Sequence, residues 1–189
     1  SELQTGPTDF DAAGSVSTDG GNLVVGSNLS TNVNLEVSGD ASINTSGTLE
    51  VGNNLTIGED VTTSVSSADL QFGQVAESII DLGKNLEVNT LDVNKQAASV
   101  TLTGDTLEVT DANIANAGGQ VAAPLVLEED LLVSGQFDLQ TSSLAGNTSN
   151  ATAGSGAVVF TGDGTLTSTD GNEASINNLT VGTSSSDSL

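Results

Sequence analysis

The chain has 189 residues and a mass of 18.7 kDa, and its 25 acidic residues against two lysines give a formal charge of −23. Histidine, cysteine, methionine, tryptophan and tyrosine are absent, which excludes a Cys/His zinc site, a disulfide and a histidine-based catalytic triad built from this chain alone. Two cations cannot cover a phosphate backbone, so we expect no nucleic-acid partner, and no apolar run approaches the ~18 residues of a membrane span.

The first predicted segment is a leader, residues 1–16, which lacks the repeat that fills the rest of the chain. It contains Phe10, one of four phenylalanines. A stack of strands ends in an open sheet edge, which must be covered or paired. We therefore expect the leader to be a cap or a subunit-docking segment, with Phe10 as the docking residue.

Residues 17–189 are dominated by one short repeat: Asn or Thr, then Leu, any residue, and Val or Ile. Apolar residues two positions apart face one side of a strand, so each copy predicts a strand of about four residues. With 35% hydrophobic residues and a mean hydropathy of +0.01, the chain is expected to fold despite its charge. The copies are Asn22–Gly26, Asn34–Ser38, Thr48–Gly52, Asn54–Gly58, Asn85–Asn89, Thr106–Thr110 and Asn178–Gly182.

The spacing of the copies predicts how the strands are arranged. The intervals are 20 residues from Leu29 to Leu49 and from Leu35 to Leu55, and 21 residues from Leu86 to Leu107. Three short strands in about 20 residues is typical of a parallel β-helix, in which the coils stack about 4.8 Å apart. We predict an all-β fold, a single-stranded parallel β-helix (β-solenoid) of about 20 residues per coil.

An antiparallel β-sandwich is the alternative fold. It requires hairpin turns, and the Asp-Gly pairs that begin at Asp19, Asp163 and Asp170 fit such turns. These pairs cluster near the two ends of the chain, whereas the middle keeps the coil spacing. The spacing therefore favours the β-helix.

The repeat weakens in two places, near residues 61–74 and 140–156, where we predict looser, projecting loops. Helical periodicity is nearly missing. Residues Val75 to Leu82 are the one stretch in which a helix is considered.

Two strings of the repeat, Gly21–Gly26 (GNLVVG) and Ser46–Gly58 (SGTLEVGNNLTIG), resemble bacterial secreted β-helix exoproteins of the filamentous haemagglutinin and autotransporter-passenger group. The resemblance covers about two-thirds of the chain and lies in its repeat grammar. It implies an extracellular, rod-like, non-catalytic protein that serves in adhesion or in building a matrix. The amino-terminal secretion domain of the two-partner branch is not evident in this sequence.

Calcium is the metal that this composition would suit, because carboxylates and turn carbonyls are its usual ligands. Neither an Asp-x-Asp-x-Asp-Gly loop nor a Gly-Gly-x-Gly-x-Asp repeat occurs. Asp19, Asp163 and Asp170 are weak candidate ligands, since Asp-Gly is also simply a good turn. We predict no cofactor beyond possible calcium.

The remaining charged residues predict no catalytic site. Adjacent residues of a strand point to opposite sides, so the densest acidic run, Glu128 to Asp130, is interpreted as a solvated loop. Lys84 and Lys95 could pair with carboxylates of a neighbouring coil or another subunit, and a surface pair would contribute little. We predict that the chain is not an enzyme.

The first functional hypothesis is a secreted, non-enzymatic structural or adhesive β-helix at the cell surface, either a fibre subunit or a module of a large adhesin. It would associate with itself or with other surface proteins and glycans. The second is a carbohydrate-binding or carbohydrate-cleaving β-helix, and a third is a trimeric spike with solenoid segments. The absence of easily oxidised side chains suits a long-lived extracellular material.

Overall fold

We describe the fold from a computed structural model, which describes residues 2–4, 9–96, 98–116, 124–140, 149–150, 154–168, 174–176 and 178–182. These residues contain β-strands and no helix. The strands, in chain order, are β1 (Glu2–Gln4), β2 (Phe10–Ala12), β3 (Val16–Asp19), β4 (Asn22–Val24), β5 (Leu29–Thr31), β6 (Leu35–Ser38), β7 (Ser42–Asn44), β8 (Thr48–Val51), β9 (Leu55–Ile57), β10 (Thr62–Ser64), β11 (Asp69–Phe72), β12 (Ser78–Leu82), β13 (Leu86–Lys95), β14 (Val100–Thr103), β15 (Leu107–Asn116), β16 (Leu125–Leu127), β17 (Leu131–Val133), β18 (Gln136–Gln140), β19 (Ser149–Asn150), β20 (Val158–Phe160), β21 (Thr165–Ser168), β22 (Ala174–Ser175) and β23 (Leu179–Val181).

The chain winds through three parallel sheets in turn. Their strand orders are β1-β4-β7-β10, then β2-β5-β8-β11-β13-β15-β17-β20-β23 with β18 between β15 and β21, then β16-β14-β12-β9-β6-β3; β19 and β22 form a separate pair. Every pairing between described strands is parallel, and one turn takes about 21 residues over about seven turns. The predicted β-solenoid is confirmed. The antiparallel sandwich is wrong, because consecutive strands enter different sheets instead of folding back on each other.

Two long strands, β13 and β15, each run across two faces of the solenoid. β15 pairs through residues 107–109 with β17 and through residues 112–115 with β18. In these coils one continuous strand therefore passes through the corner between the first and second faces.

By chain order, the first face is β1, β4, β7 and β10, the amino-terminal halves of β13 and β15, then β17, β20 and β23. The second face is β2, β5, β8 and β11, the carboxyl-terminal halves, then β18 and β21. The third face is β3, β6, β9, β12, β14 and β16.

The register stacks each inward residue on its counterpart one coil away, which confirms the predicted spacing. The stacked pairs are Leu29 with Leu49, Leu35 with Leu55, and Leu86 with Leu107. One continuous cluster of buried apolar side chains results, and it reaches from Leu23 to Phe160. Burial of each Leu or Val contributes about 1.5–3 kcal/mol, so these ladders hold successive coils together.

Coil length varies, and some of the described extra residues lie at corners. Hydrogen-bonded residues in adjacent coils are 19 positions apart near the start of the chain, at Asp9 and Asn28, and 29 apart near its end, at Asp138 and Thr167. One such extended corner is formed by residues 73–77, between β11 and β12. The helix that the sequence allows over Val75–Leu82 is absent, because the chain enters β12, whose residues alternate between buried and exposed.

Residues 61–74, for which the sequence predicts a looser loop, contain β10 and β11 in register with the neighbouring coils. Val61, Val65 and Ala68 are buried at the corners of this coil. Apolar corner residues break the two-residue alternation, so this coil does not show the repeat. The predicted loop near 140–156 lies largely outside the described residues.

The predicted leader, residues 1–16, contributes strands to the same stack. β1 pairs with β4, and β2 pairs with β5, at the same register as the later coils. The function of this segment as a cap or as a docking segment stays a prediction.

Gly104, between β14 and β15, shows why a corner of the solenoid requires glycine. Its φ is +91°, a conformation that L-residues rarely adopt. A Cβ at this position would also collide with the carbonyl oxygen of Leu82 in the preceding coil. The close approach of two coils at this corner therefore depends on the missing side chain.

Candidate functional site on the outer faces

On the second face, the outward side chains form a ladder in which carboxylates alternate with neutral polar groups. The strand register gives the order Asp11, Ser30, Glu50, Gln71, Asp92, Asn113, Asp138 and Thr167. The third face repeats the alternation with Ser17, Glu36, Thr56, Asp81 and Thr103. We call these two rows the outer ladders.

The alternation reduces the repulsion that a charge of −23 would otherwise produce. Two carboxylates on adjacent coils, about 4.8 Å apart, would repel each other by about 1 kcal/mol even in water. With a neutral residue between them the separation doubles to about 9.5 Å, which is close to the Debye length at physiological salt. The outer ladders therefore carry many acids at a spacing where salt screens most of their repulsion.

The first face contains one exception to this rule. Glu87 and Glu108 are direct neighbours, and together with Leu132 and Thr161 they line a small groove of about 60 Å³. The side-chain amide of Asn85 donates a hydrogen bond to Glu108, which offsets part of the repulsion. The groove has room for a few water molecules at most.

Corner Asn and Asp residues connect neighbouring coils at several junctions. Their side-chain oxygens accept a hydrogen bond from a backbone N–H one coil further along, and each such bond contributes about 1 kcal/mol. The acceptor and donor pairs are Asp9 with Asn28, Asn28 with Thr48, Asn34 with Asn54, Asn54 with Ile79, Asp111 with Gln136, and Asp130 with Ala157, at 2.7–3.2 Å. Asn34 and Asn54 are leading residues of the sequence repeat, so this bond accounts for Asn at the start of these two copies. The bond from Asn28, with a second from Ser27, also holds the pKa of Asp9 below its ordinary value.

A larger groove of about 300 Å³ lies on the second face, beside the extended corner at residues 73–77. We call it the second-face groove. Glu50, Gln71 and Asp92 of the outer ladder line it, together with Gln74 and Asn94 and with Phe72 and Gly73. The sequence contains a signal for this row, because Glu50, Gln71 and Asp92 follow one another at 21-residue intervals, which is the coil length.

Two acceptors in the second-face groove have no hydrogen-bond partner among the described residues. Burial raises the pKa of the Asp92 carboxyl, and the neighbouring charge of Asp69 raises it further. The Oδ1 atom of Asn94 is buried and unpaired. Groups desolvated in this way gain most from a ligand that donates hydrogen bonds.

Lys95 is fully buried, although it is one of only two cations in the chain. Its Nζ donates hydrogen bonds to Gly73 O (2.5 Å), Ala76 O (2.8 Å) and Ser78 Oγ (2.8 Å). Desolvation lowers its pKa from 10.5 to about 8, and the charge of Glu77 opposes that shift. Lys95 therefore fastens the extended corner to the next coil.

The sequence suggests ion pairs for Lys84 and Lys95, but their described contacts are hydrogen bonds to uncharged oxygens. The ammonium group of Lys84 donates to the carbonyl oxygen of Val61 at 3.0 Å, and that of Lys95 bonds to carbonyls and a hydroxyl. Both side chains thus satisfy main-chain oxygens left free at corners. The inward position of Lys95 follows from the alternation of Leu91, Val93 and Lys95 along β13. The sequence shows this alternation, but the charge of a lysine favours an exposed position.

The three candidate calcium ligands are not brought together. Asp19 ends β3 in one of the first coils, where it pairs with Ser38, and Asp163 is exposed in the turn before β21 near the other end. Asp170 lies outside the described residues. In the described parts of the chain, no group of three or more acidic side chains is arranged to hold a metal ion.

Phe10, the predicted docking residue, begins β2 and pairs with Leu29. It is half-buried against the apolar core, whereas Phe72, Phe137 and Phe160 are buried within it. Phe10 thus belongs to the inward ladder of the first described coil. Its function in docking a neighbour stays a prediction.

The fold and the outer ladders define a three-faced parallel β-solenoid protein. No family model, no curated protein and no solved structure matches the chain. Among the residues described, no helix is long and apolar enough to cross a membrane.

Proposed function

We propose that this chain is a non-enzymatic structural and adhesive protein of the cell surface or extracellular space, either a β-helical fibre subunit or a module of a larger adhesin. The observation that carries the proposal is the outer ladder of the second face. It extends unbroken through eight strands, from Asp11 to Thr167, and presents a repeating polar surface. A surface of this kind suits repeated contact with a partner better than it suits a single catalytic centre.

The packing supports a mechanical function. Inward ladders of Leu, Val and Ile connect successive coils, and corner bonds of Asn and Asp add to them at several junctions. Load along the axis is then shared among many small interactions. The repeat resembles that of the filamentous haemagglutinin and autotransporter-passenger exoproteins, and we propose the same kind of secreted, surface-associated use, with other copies or surface proteins and glycans as partners.

Negative-stain microscopy of the purified chain, with and without millimolar calcium, tests the structural half of the proposal. About seven turns at the strand spacing give a rod about 35 Å long. We expect isolated rods of that length for an adhesin module, or filaments of uniform width for a fibre subunit. Irregular aggregates or expanded, unfolded chains under both conditions would contradict it.

An attachment assay tests the adhesive half. Beads coated with the folded chain are compared with beads coated with the same chain after heat denaturation, and binding to cells is counted under flow. We expect the folded chain alone to retain cells. Equal retention by both preparations would contradict the adhesive proposal while leaving the rod intact.

A further inference from the structure

Two glycines, Gly52 and Gly73, allow neighbouring coils to approach closely at one edge of the second-face groove. A Cβ on Gly73 would press against the Gly52 carbonyl oxygen of the preceding coil at 2.5 Å. Gly73 and Asn94 both line the groove. A side chain at Gly73 would therefore collide with the preceding coil and distort this edge of the groove.

The wall of the groove is held in place by two neighbouring coils. Gln96 donates a side-chain hydrogen bond to Gln74 at 2.7 Å, and Lys95 holds the carbonyls of Gly73 and Ala76 from beneath. These contacts order the wall before any ligand arrives. Preorganisation of this kind lowers the entropic cost of binding.

The lining of the groove combines hydrogen-bond acceptors with amide donors. Glu50 and Asp92 contribute carboxylates on either side of Gln71, and Gln71, Gln74 and Asn94 are the amide residues of the lining. The amide nitrogen of Gln71 can donate. A ligand rich in hydroxyl groups, each both a donor and an acceptor, matches this mixture.

We propose that the second-face groove binds a neutral oligosaccharide segment, held through its hydroxyl groups by Glu50, Gln71 and Asp92. A single calcium ion does not fit as well, because Glu50 and Asp92 are separated by one ladder position, or about 9.5 Å, whereas calcium holds oxygens at about 2.3–2.6 Å. The two carboxylates and the overall charge of −23 disfavour anionic sugars. The inference extends the adhesive function and does not depend on whether the chain forms filaments.

The test is a binding titration of the folded chain with short neutral gluco-, manno- and galacto-oligosaccharides, at low and at high salt and with a calcium chelator present. The variants are Asp92→Asn and Gln71→Ala in the groove. Asp81→Asn is the matched control, because Asp81 is an exposed acid in the outer ladder of the third face and its substitution removes the same charge. Thermal melting followed by circular dichroism verifies that each variant folds.

We expect at least one neutral oligosaccharide to bind, with an affinity that high salt leaves unchanged. Asp92→Asn and Gln71→Ala should each weaken it by about tenfold, the loss expected for one hydrogen bond to a desolvated group, while Asp81→Asn should leave it unaltered. The proposal is overturned if no neutral oligosaccharide binds at millimolar concentration, or if Asp81→Asn weakens binding as much as Asp92→Asn. Spermine, a polyamine, is titrated in parallel as a cationic probe. The proposal is also overturned if the groove variants weaken only the binding of spermine and that binding disappears at high salt.

Discussion

Raising the pH from 8 to 10.5 is expected to stabilise this protein through Lys95. In the unfolded chain this lysine keeps its proton up to about pH 10.5, whereas in the folded chain it loses the proton near pH 8. Between these values the unfolded state binds more protons, so the free energy of unfolding rises with pH. The stability contributed by Lys95 is therefore complete above pH 10.5 and is lost as the pH falls through 8.

The size of the effect follows from the difference between the two pKa values. The difference between pKa values of 10.5 and about 8 corresponds to an upper limit of about 3 kcal/mol, and we expect a rise of about 2 kcal/mol or more. The background is unusually clean, because the chain has no Tyr, Cys or His and its two lysines are its only cationic side chains. Loss of positive charge also increases the net repulsion, so the measurement is made at high salt, where repulsion is screened.

The assay is urea unfolding at several pH values between 7 and 10.5. Lys95→Met should remove the rise of the free energy of unfolding, because methionine fills the site and does not titrate. Lys84→Met, the matched control, removes the other lysine and should retain the rise. A wild-type stability that stays level or falls over this interval, or a rise that persists in Lys95→Met, would refute the reasoning.

Two further predictions concern the corners. Gly104→Ala should lower the free energy of unfolding by about 2 kcal/mol or more, because alanine is strained at this φ and its methyl group has no space. The control Gly14→Ala lies in open surroundings and should change the free energy of unfolding by less than about 0.5 kcal/mol. Urea unfolding midpoints measure both effects. Asn54→Ala should cost about 1 kcal/mol and accelerate hydrogen exchange at the Ile79 amide, which loses its acceptor. Asn44 is exposed, and its side chain forms no described hydrogen bond, so Asn44→Ala should leave the exchange rate of the Ile79 amide unchanged. Equal effects of the two substitutions would contradict the proposed corner bonds.

The strands and the coil length could be predicted from the sequence because the same residues encode both. In a copy such as Asn54–Gly58, Leu and Ile two positions apart give the strand, and the 20-residue distance to the copy one coil earlier, Asn34–Ser38, gives the register. The repeat does not reveal which face a copy joins. Asn22–Gly26, Asn34–Ser38 and Thr48–Gly52 enter the first, third and second faces respectively, so the repeat encodes a strand and not a position in the coil.

The candidate site was harder to predict, because it depends on what lies between coils. The alternation of Glu50, Gln71 and Asp92 becomes visible only once the register is known, since these residues are far apart in the chain. The burial of Lys95 contradicts the usual exposure of lysine and depends on carbonyls at a corner whose extended length the repeat does not predict. The edge of the groove depends on the close approach of two coils at Gly52 and Gly73, which composition does not indicate.

The corner bonds of Asn and Asp have a consequence for how a chain of this kind can change length. At several junctions one coil supplies the acceptor for its successor, as Asn28, Asn34 and Asn54 show. Duplication or deletion of one whole coil would regenerate the same contacts at the new junction. Insertion of a single residue within a strand would instead turn its apolar side chains outward. Genes for such proteins are therefore free to grow or shrink by unequal recombination in units of about 21 codons, and they tolerate smaller changes chiefly at corners.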